Sequence, residues 1–251
     1  MTAVKNLPVC AVQDCCFNTI NKLSKNVEEI CVKTKDWYAN WIQERRYRIT
    51  GSTCYEFFTY TNNKNADWNK KCDNILKPKN FKTEFTEYGK KFEAEARRAF
   101  AKGTNSEVVE IGLVISRLNP WLAYSPDGII VKSDKPVALL EIKCPFIGKT
   151  ANIENTVNSL INKCLQKKKE NIVLKEKHWY YGQVQLGMAV LNLNLTYFVI
   201  YSSFDKQYFT LSVERNDNFI FLMLHKLKEV YYSVMLHKVC LLKKEYDKDS
   251  Q

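Results

Sequence analysis

The chain has 251 residues, and 38 lysines and arginines against 27 aspartates and glutamates leave a net charge of +11 that points to an acidic polymer as partner. Hydrophobic residues make up 45% and aromatics 13%, enough for a globular core and too many for a disordered chain. No apolar run approaches the ~18 residues a membrane helix needs, and the opening MTAVKNLPVC lacks the apolar centre of a secretory signal.

Residues 1–45 read as helical: Phe17, Ile20, Leu23, Val27 and Ile30 recur at three- and four-residue steps, with Asp14 as a cap. A basic stretch, Glu44-Arg45-Arg46-Tyr47-Arg48, runs into Ile49-Thr50-Gly51-Ser52. Residues 60–82, rich in Asn and Lys, read as a loop. A helix follows on the stripe Phe85, Tyr88, Phe92, Ala96, Ala99, with Gly103 at its expected stop. A strand is expected over 108–115, then turns at Asn119-Pro120 and Ser125-Pro126-Asp127-Gly128, then a hairpin of strands 129–131 and 138–144. The lysine-rich segment 150–177 reads as an insertion, with a helical part near 160–165. Helix 178–191, strands 196–203 and 207–213, and a long helix 216–239 with a charged, frayed tail over 243–251 close the chain. The order predicts an α/β fold with a small central mixed sheet flanked by helices.

The chemistry-bearing fragment is Ser125-Pro126-Asp127-Gly128, followed by Glu141-Ile142-Lys143-Cys144-Pro145. Side chains alternate along a strand, so Glu141 and Lys143 share one side while Leu140 and Ile142 point to the core. A hairpin would bring Asp127 beside Glu141. Two carboxylates there suit Mg²⁺, which takes one or two carboxylates, water and substrate phosphate, with the Ile142 carbonyl as a further oxygen. The Lys143 ammonium would hold the attacking water and offset charge on a phosphate, which describes metal-assisted phosphodiester hydrolysis. Against this, an E-x-K pair on a strand is often a surface charge pattern. Glu93 borders the helical stripe; it either faces the same seam, partnered by a metal-bound water, or pairs with Lys90 or Arg97 at helical spacing.

Gly89-x-x-x-Glu93-x-x-Ala96, Ser125-Pro126-Asp127-Gly128, Leu140-Glu141-Ile142-Lys143-Cys144-Pro145-Phe146 and Tyr181-Gly182-Gln183-Val184-Gln185 together resemble the YqaJ-type, lambda-exonuclease-like viral recombinase family of the PD-(D/E)XK nuclease superfamily, from about residue 41 to 213. The resemblance implies a PD-(D/E)XK, restriction-endonuclease-like core over 41–215, with 1–40 as a helical extension and 216–251 as closing helix and tail of one nuclease domain. It implies one or two Mg²⁺ ions (Mn²⁺ as substitute) on Asp127, Glu141 and the Ile142 carbonyl, with Glu93 supporting a second ion. Lys143 would position the water, and Gln183 or Gln185 would orient the lysine or the substrate. Arg45-x-x-x-Ile49-Thr50-Gly51-Ser52 resembles the family's Arg-x-x-x-Ile-Thr-Ala-Ser segment, so Arg45, Ser52, Ser125 and Lys149 are expected to hold a 5′-phosphate; lysine at 149 replaces the arginine of lambda-type enzymes.

The implied activity is a Mg²⁺-dependent, 5′-to-3′ exonuclease on duplex DNA ends. The alternatives are a metal-dependent endonuclease and a non-catalytic DNA-binding, recombination-associated module. The partner set is double-stranded DNA, extended to single-stranded DNA, a homo-oligomer and a single-strand annealing protein, with no membrane. Nine cysteines, none spaced C-x-x-C, argue against a zinc ribbon and for reduced thiols in the nucleus or cytoplasm of a host cell. His178, His225 and His237 are too scattered for a metal site, and Cys144 reads as a buried thiol.

Overall fold

The computed structural model describes residues 14–77 and 83–249, with side chains described between Cys16 and Lys244. The predicted helical start forms α1 (Asp14–Leu23), α2 (Val27–Asp36) and α3 (Tyr38–Arg46). Asn26 separates the first two by taking the left-handed backbone (φ 56°) that asparagine tolerates. Leu23 and Val27 enter the core, but Phe17 is exposed, contrary to the expected stripe. The proposed Asp14 cap lies outside the described side chains. β1 (Ile49–Thr50) leads into α4 (Gly51–Tyr60), started by a capping box between Thr50 and Thr53.

The segment read as a loop contains α5 (Trp68–Leu76). Asp67 caps it, accepting from the Lys70 amide at 2.9 Å. Trp68, Cys72 and Leu76 recur every four residues and bury one face, a stripe that the surrounding Asn and Lys disguise. α6 (Glu84–Thr104) buries Tyr88, Ala96 and Phe100, while Phe85 is exposed. Gly103 does not end it. The helix passes through Gly103, where a Cβ would collide with the Tyr208 hydroxyl, and Asn105 (φ 50°) makes the stop.

The single strand expected over 108–115 is two, β2 (Glu107–Val109) and β3 (Val114–Ile115), in different sheets. Between them the chain turns to α2, and the Leu113 amide donates to Thr34 Oγ1 at 2.8 Å. β4 (Leu122–Tyr124) follows. The hairpin of β5 (Gly128–Lys132) and β6 (Lys135–Lys143) is as predicted, its turn at Ser133 and Asp134 having positive φ at both residues.

The 150–177 segment is ordered. After a 3₁₀ turn (Phe146–Lys149) come α7 (Ile153–Leu160) and a second hairpin, β7 (Leu165–Lys168) with β8 (Asn171–Leu174). The helix expected near 160–165 instead ends at Leu160. Leu165 faces Leu174 across the hairpin and both are buried, which anchors it, while Lys167, Lys168 and Lys169 are exposed. α8 (Trp179–Leu191), β9 (Leu195–Ser202), β10 (Gln207–Glu214) and α9 (Asp217–Val230) match the predicted order. A single π turn (Tyr231–Met235) joins α9 to α10 (Leu236–Asp249), which runs on through the tail expected to fray.

The central sheet has the order β10-β9-β6-β5-β2 and is antiparallel except for the parallel pair β6–β9. Leu140, Ile142 and Val199 pack on Ala96 and Phe100 of α6. Leu139, Phe198 and Ile200, on the other face, pack on Val184 and Met188 of α8. β1, β4 and β3 form a smaller sheet beside it. Burying such apolar faces contributes about 25 cal/mol per Å² removed from water. No helix among the described residues is long and apolar enough to cross a membrane.

Candidate functional site

The register Gly128↔Leu140 sets Asp127 opposite Glu141, and Asp127 Oδ2 accepts from the Ile142 amide at 2.7 Å. Alternation along β6 turns Glu141 and Lys143 to the α8 face, away from the Leu140–Ile142 core side. Glu141 is 1% exposed and both of its oxygens are hydrogen-bonded: Oε1 accepts from Lys143 Nζ and Gln183 Nε2, each at 2.5 Å, and Oε2 accepts from the Tyr124 hydroxyl at 2.5 Å. The surface-pattern reading of the E-x-K pair therefore fails.

Burial, then the charge of Glu141, pushes the Asp127 carboxyl well above the ordinary range, with Lys143 pulling it back. For Lys143, burial opposes the ammonium, but the Glu141 and Asp127 charges outweigh it and hold its pKa above the ordinary value. The amine thus stays protonated, a donor and not a base. Burial likewise raises Tyr124, with Glu141 adding to it, so its hydroxyl keeps the proton it donates.

Glu93 takes the Arg97 pairing and also faces the cleft. Oε1 accepts from Arg97 at 2.9 Å, and the residue lines the same cleft as Asp127 and Glu141. Burial raises its carboxyl, against the pull of Arg97. The Arg97 guanidinium also donates to the Asp127 carbonyl at 2.5 Å and pairs with Glu110 at 2.6 Å, so one side chain ties α6 to the Asp127 turn.

The cleft, of about 510 Å³, continues to a rim built from α3 and α4. There Arg45 donates to Ser52 Oγ at 2.6 Å and lies 4.1 Å over the Trp41 ring, whose Nε1 donates to Ser125 Oγ at 2.7 Å. Burial lowers the Arg45 pKa to about 10, against Tyr38 and Glu141. Arg45, Ser52 and Ser125 are thus brought together as expected.

Two expected residues are not. Gln185 points the other way, its amide bonded to the Glu214 carbonyl and the Asn216 amide at 2.8 Å each. Residues two apart on a helix do not share a face, so only Gln183 can reach Glu141. Lys149 is exposed on the 3₁₀ turn, its Nζ 5.3 Å from the Phe146 ring, and does not line the cleft. Tyr124, Trp41 and Tyr180, whose ring lies 4.9 Å from Lys143 Nζ, were not foreseen, nor was the bond from Arg97 to the Asp127 turn. Only Tyr124 and Trp41 carried a signal: one directly precedes Ser125-Pro126-Asp127, the other stands one helical turn before Arg45. Cys144 lines the cleft, but burial, with Glu93 and Asp127 adding to it, pushes its thiol up to about 12 and leaves it inert. His178 caps α8, accepting from the Tyr180 amide at 3.2 Å.

Among the described residues, no three His, Cys, Asp or Glu side chains group as a closed metal cage. Asp127 and Glu141 instead form a buried pair of hard oxygen donors whose carboxylates accept from one cation, Lys143, among the described residues, a set that fits a cation keeping much of its water. Beside them Gln183 Oε1 is buried without a hydrogen-bond partner, an acceptor that a metal-held water would satisfy.

A family model described as the YqaJ-like viral recombinase domain matches residues 40–194, which hold every motif residue from Arg45 to Gln185. No curated protein matches the chain. Among solved structures, the alkaline exonuclease LHK-Exo of Laribacter hongkongensis aligns with a TM-score of 0.60 at 22% identity, over 84% of this chain and 98% of that one. The same protein in complex with dAMP aligns at 0.56 and 24% identity, over 84% and 98%. KSHV SOX in an RNA complex aligns at 0.61 and 11% identity, over 88% of this chain and 76% of that one. These likenesses show the fold, which is the PD-(D/E)XK type that the motifs implied.

Proposed function

The chain belongs to the YqaJ-like viral recombinase family, and from that membership we propose that it is a metal-dependent deoxyribonuclease that degrades duplex DNA from its ends in the 5′-to-3′ direction. One observation carries this reading: Asp127, Glu141 and Lys143 converge in a single cleft whose rim is the Arg45–Ser52 pair. Phosphodiester hydrolysis builds negative charge on the phosphoryl oxygens as water attacks, and fixed cations aimed there lower the barrier. Lys143, held protonated and fixed by Glu141, supplies such a charge and orients the water through its N–H groups. Asp127 and Glu141, with the Ile142 carbonyl, would hold Mg²⁺ or Mn²⁺, which supplies an acidified water and a polarised phosphate when bound. Gln183 holds Glu141 in place from α8, and Glu93 with Arg97 steadies the Asp127 turn. The Arg45 fork and the Ser52 and Ser125 hydroxyls suit a terminal 5′-phosphate, which would confine cutting to ends. That LHK-Exo is known with dAMP and SOX with RNA supports a nucleic-acid substrate.

The test is release of nucleotides from linear duplexes with and without a 5′-phosphate, in Mg²⁺ and in EDTA. Metal-dependent release, faster from the phosphorylated end and abolished by Lys143→Ala, is expected. Release that Lys143→Ala leaves unchanged would sink the nuclease reading, and nicking of closed circles at the same rate would replace the end-directed reading with an endonuclease.

A further inference from the structure

An aromatic cluster stands at the start of α8, beside Lys143. The Tyr180 ring lines the cleft and lies 4.9 Å from Lys143 Nζ. The Trp179 ring packs against it with centroids 4.0 Å apart, and the His178 ring lies 4.8 Å from Tyr180 and 5.5 Å from Trp179. His178 is itself fixed by its cap on α8. Trp179 is thus held by two rings, yet it is 45% exposed and stands at the edge of the cleft, outside its lining. An indole fixed by its neighbours and open to solvent is preorganised for a flat partner.

Cations adjoin the cluster. Cys164, at the base of the β7–β8 hairpin, lines the cleft with Tyr180, and its carbonyl accepts from the Lys175 amide at 2.8 Å. The Lys175 charge adds to burial in lowering the His178 pKa, so that ring stays neutral. Lys163 and Lys177, next to Cys164 and His178 in the chain, are exposed, and Glu176 is the one acid in the run 175–180. Aromatic faces among cations suit unpaired nucleic acid, rings taking bases and ammonium groups taking phosphates. With the terminal 5′-phosphate at Arg45 and Ser52 and the bond to be cut at Lys143, the next nucleotide of that strand passes Lys143. A cleft of about 510 Å³ is far too small for a duplex, so that nucleotide arrives unpaired, and its base has left the stack.

We propose that Trp179 and Tyr180 form a stacking platform for the unpaired base on the 3′ side of the bond that is cut. The proposal rests on the DNA-end reading above and adds a substrate requirement to it: the second nucleotide of the strand must carry a base, of any identity, because every base has a face to stack. Trp179 carries the stack, and Tyr180 buttresses it from the cleft.

The test is binding of the full chain, in EDTA so that nothing is cut, to a 5′-phosphorylated duplex whose first two nucleotides are unpaired, the second carrying either adenine or no base, followed by fluorescence anisotropy. The parent is expected to bind the adenine form about tenfold more tightly, in line with what one base–aromatic stack contributes. Trp179→Ala should bring the two forms within about twofold of each other, and Trp179→Phe, which keeps a ring, should restore most of the difference. Both variants should melt with the parent, because the side chain they alter is half-exposed. A parent indifferent to the missing base, a Trp179→Ala variant that keeps the full difference, or a Trp179→Phe variant that behaves like Trp179→Ala would overturn the proposal. Because binding is read without turnover, base-dependent binding by a chain that releases no nucleotides would sink only the nuclease reading, and active enzyme without base-dependent binding would sink only this one.

Discussion

Tyr124 donates its hydroxyl to Glu141 Oε2 at 2.5 Å, and both side chains are buried. The ring fits between α4 and α8 because glycines face it: a Cβ on Gly51 or Gly187 would come within 2.6 Å of it. Tyr124 is therefore a positioning residue for Glu141, one of the two carboxylates proposed to hold the metal. A hydrogen bond to a charged group contributes about 1.5–3 kcal/mol, and losing it favours the protonated acid. Tyr124→Phe should lower kcat/KM by about tenfold near neutral pH, consistent with that energy, and shift the acid limb of the pH–rate profile upward. An unchanged limb would reduce Tyr124 to packing.

Lys143→Ala should reduce kcat by about 10²-fold or more, the cost of deleting one donor aimed at developing charge. It also removes the only cation bonded to Glu141 among the described residues, so a Mn²⁺ titration should show tighter metal binding by the variant than by the parent. Weaker Mn²⁺ binding would contradict a role in offsetting the acids.

Asp127 is raised by burial first and Glu141 second. A carboxyl with a raised folded pKa contributes stability that is complete below the unfolded pKa of about 4 and is lost as pH climbs through the folded value. In EDTA, Asp127→Asn should therefore melt about 2–4 °C above the parent at pH 7 and converge with it near pH 4. It should be inactive at both. A variant less stable than the parent at pH 7 would mean that the Ile142 contact outweighs the charge repulsion.

The two glutamines of α8 should separate cleanly. Gln183→Ala should lower kcat with little change in melting temperature. Gln185→Ala should cost about 1–3 kcal/mol of stability by orphaning the Asn216 amide and Glu214 carbonyl, while the folded fraction keeps its activity. Lys149→Ala, on an exposed turn, should leave the 5′-phosphate preference intact.

The acid–lysine set was legible because a strand has a period of two: once β6 was placed, Glu141 and Lys143 had to share a side and Leu140 and Ile142 the other. Asp127 followed from the expected hairpin, although its strands run on past 131 and 138 to a two-residue turn that the polar residues between them concealed. Gln183 and Gln185 could not be separated in this way, since choosing between them requires the angular phase of α8 against the sheet. Tyr124 adjoins the Ser125-Pro126-Asp127 motif, but its role could not be read there because it lies in a hydroxyl meeting a carboxylate 17 residues on, through a slot that two distant glycines open. α5 was hidden by polar residues around a three-member stripe.

The π turn between α9 and α10 fixes a phase. An α-helix advances about 100° per residue, so one extra residue in a turn rotates everything after it by that angle. Leu227 and Val230 before the turn are buried, and the added rotation brings Leu236, Val239 and Cys240 after it round to the same buried side. Shortening the turn by one residue would restore an ideal helix and swing the last three toward water. In this stretch of chain, a break in regular geometry is what lets one apolar side continue past residue 230.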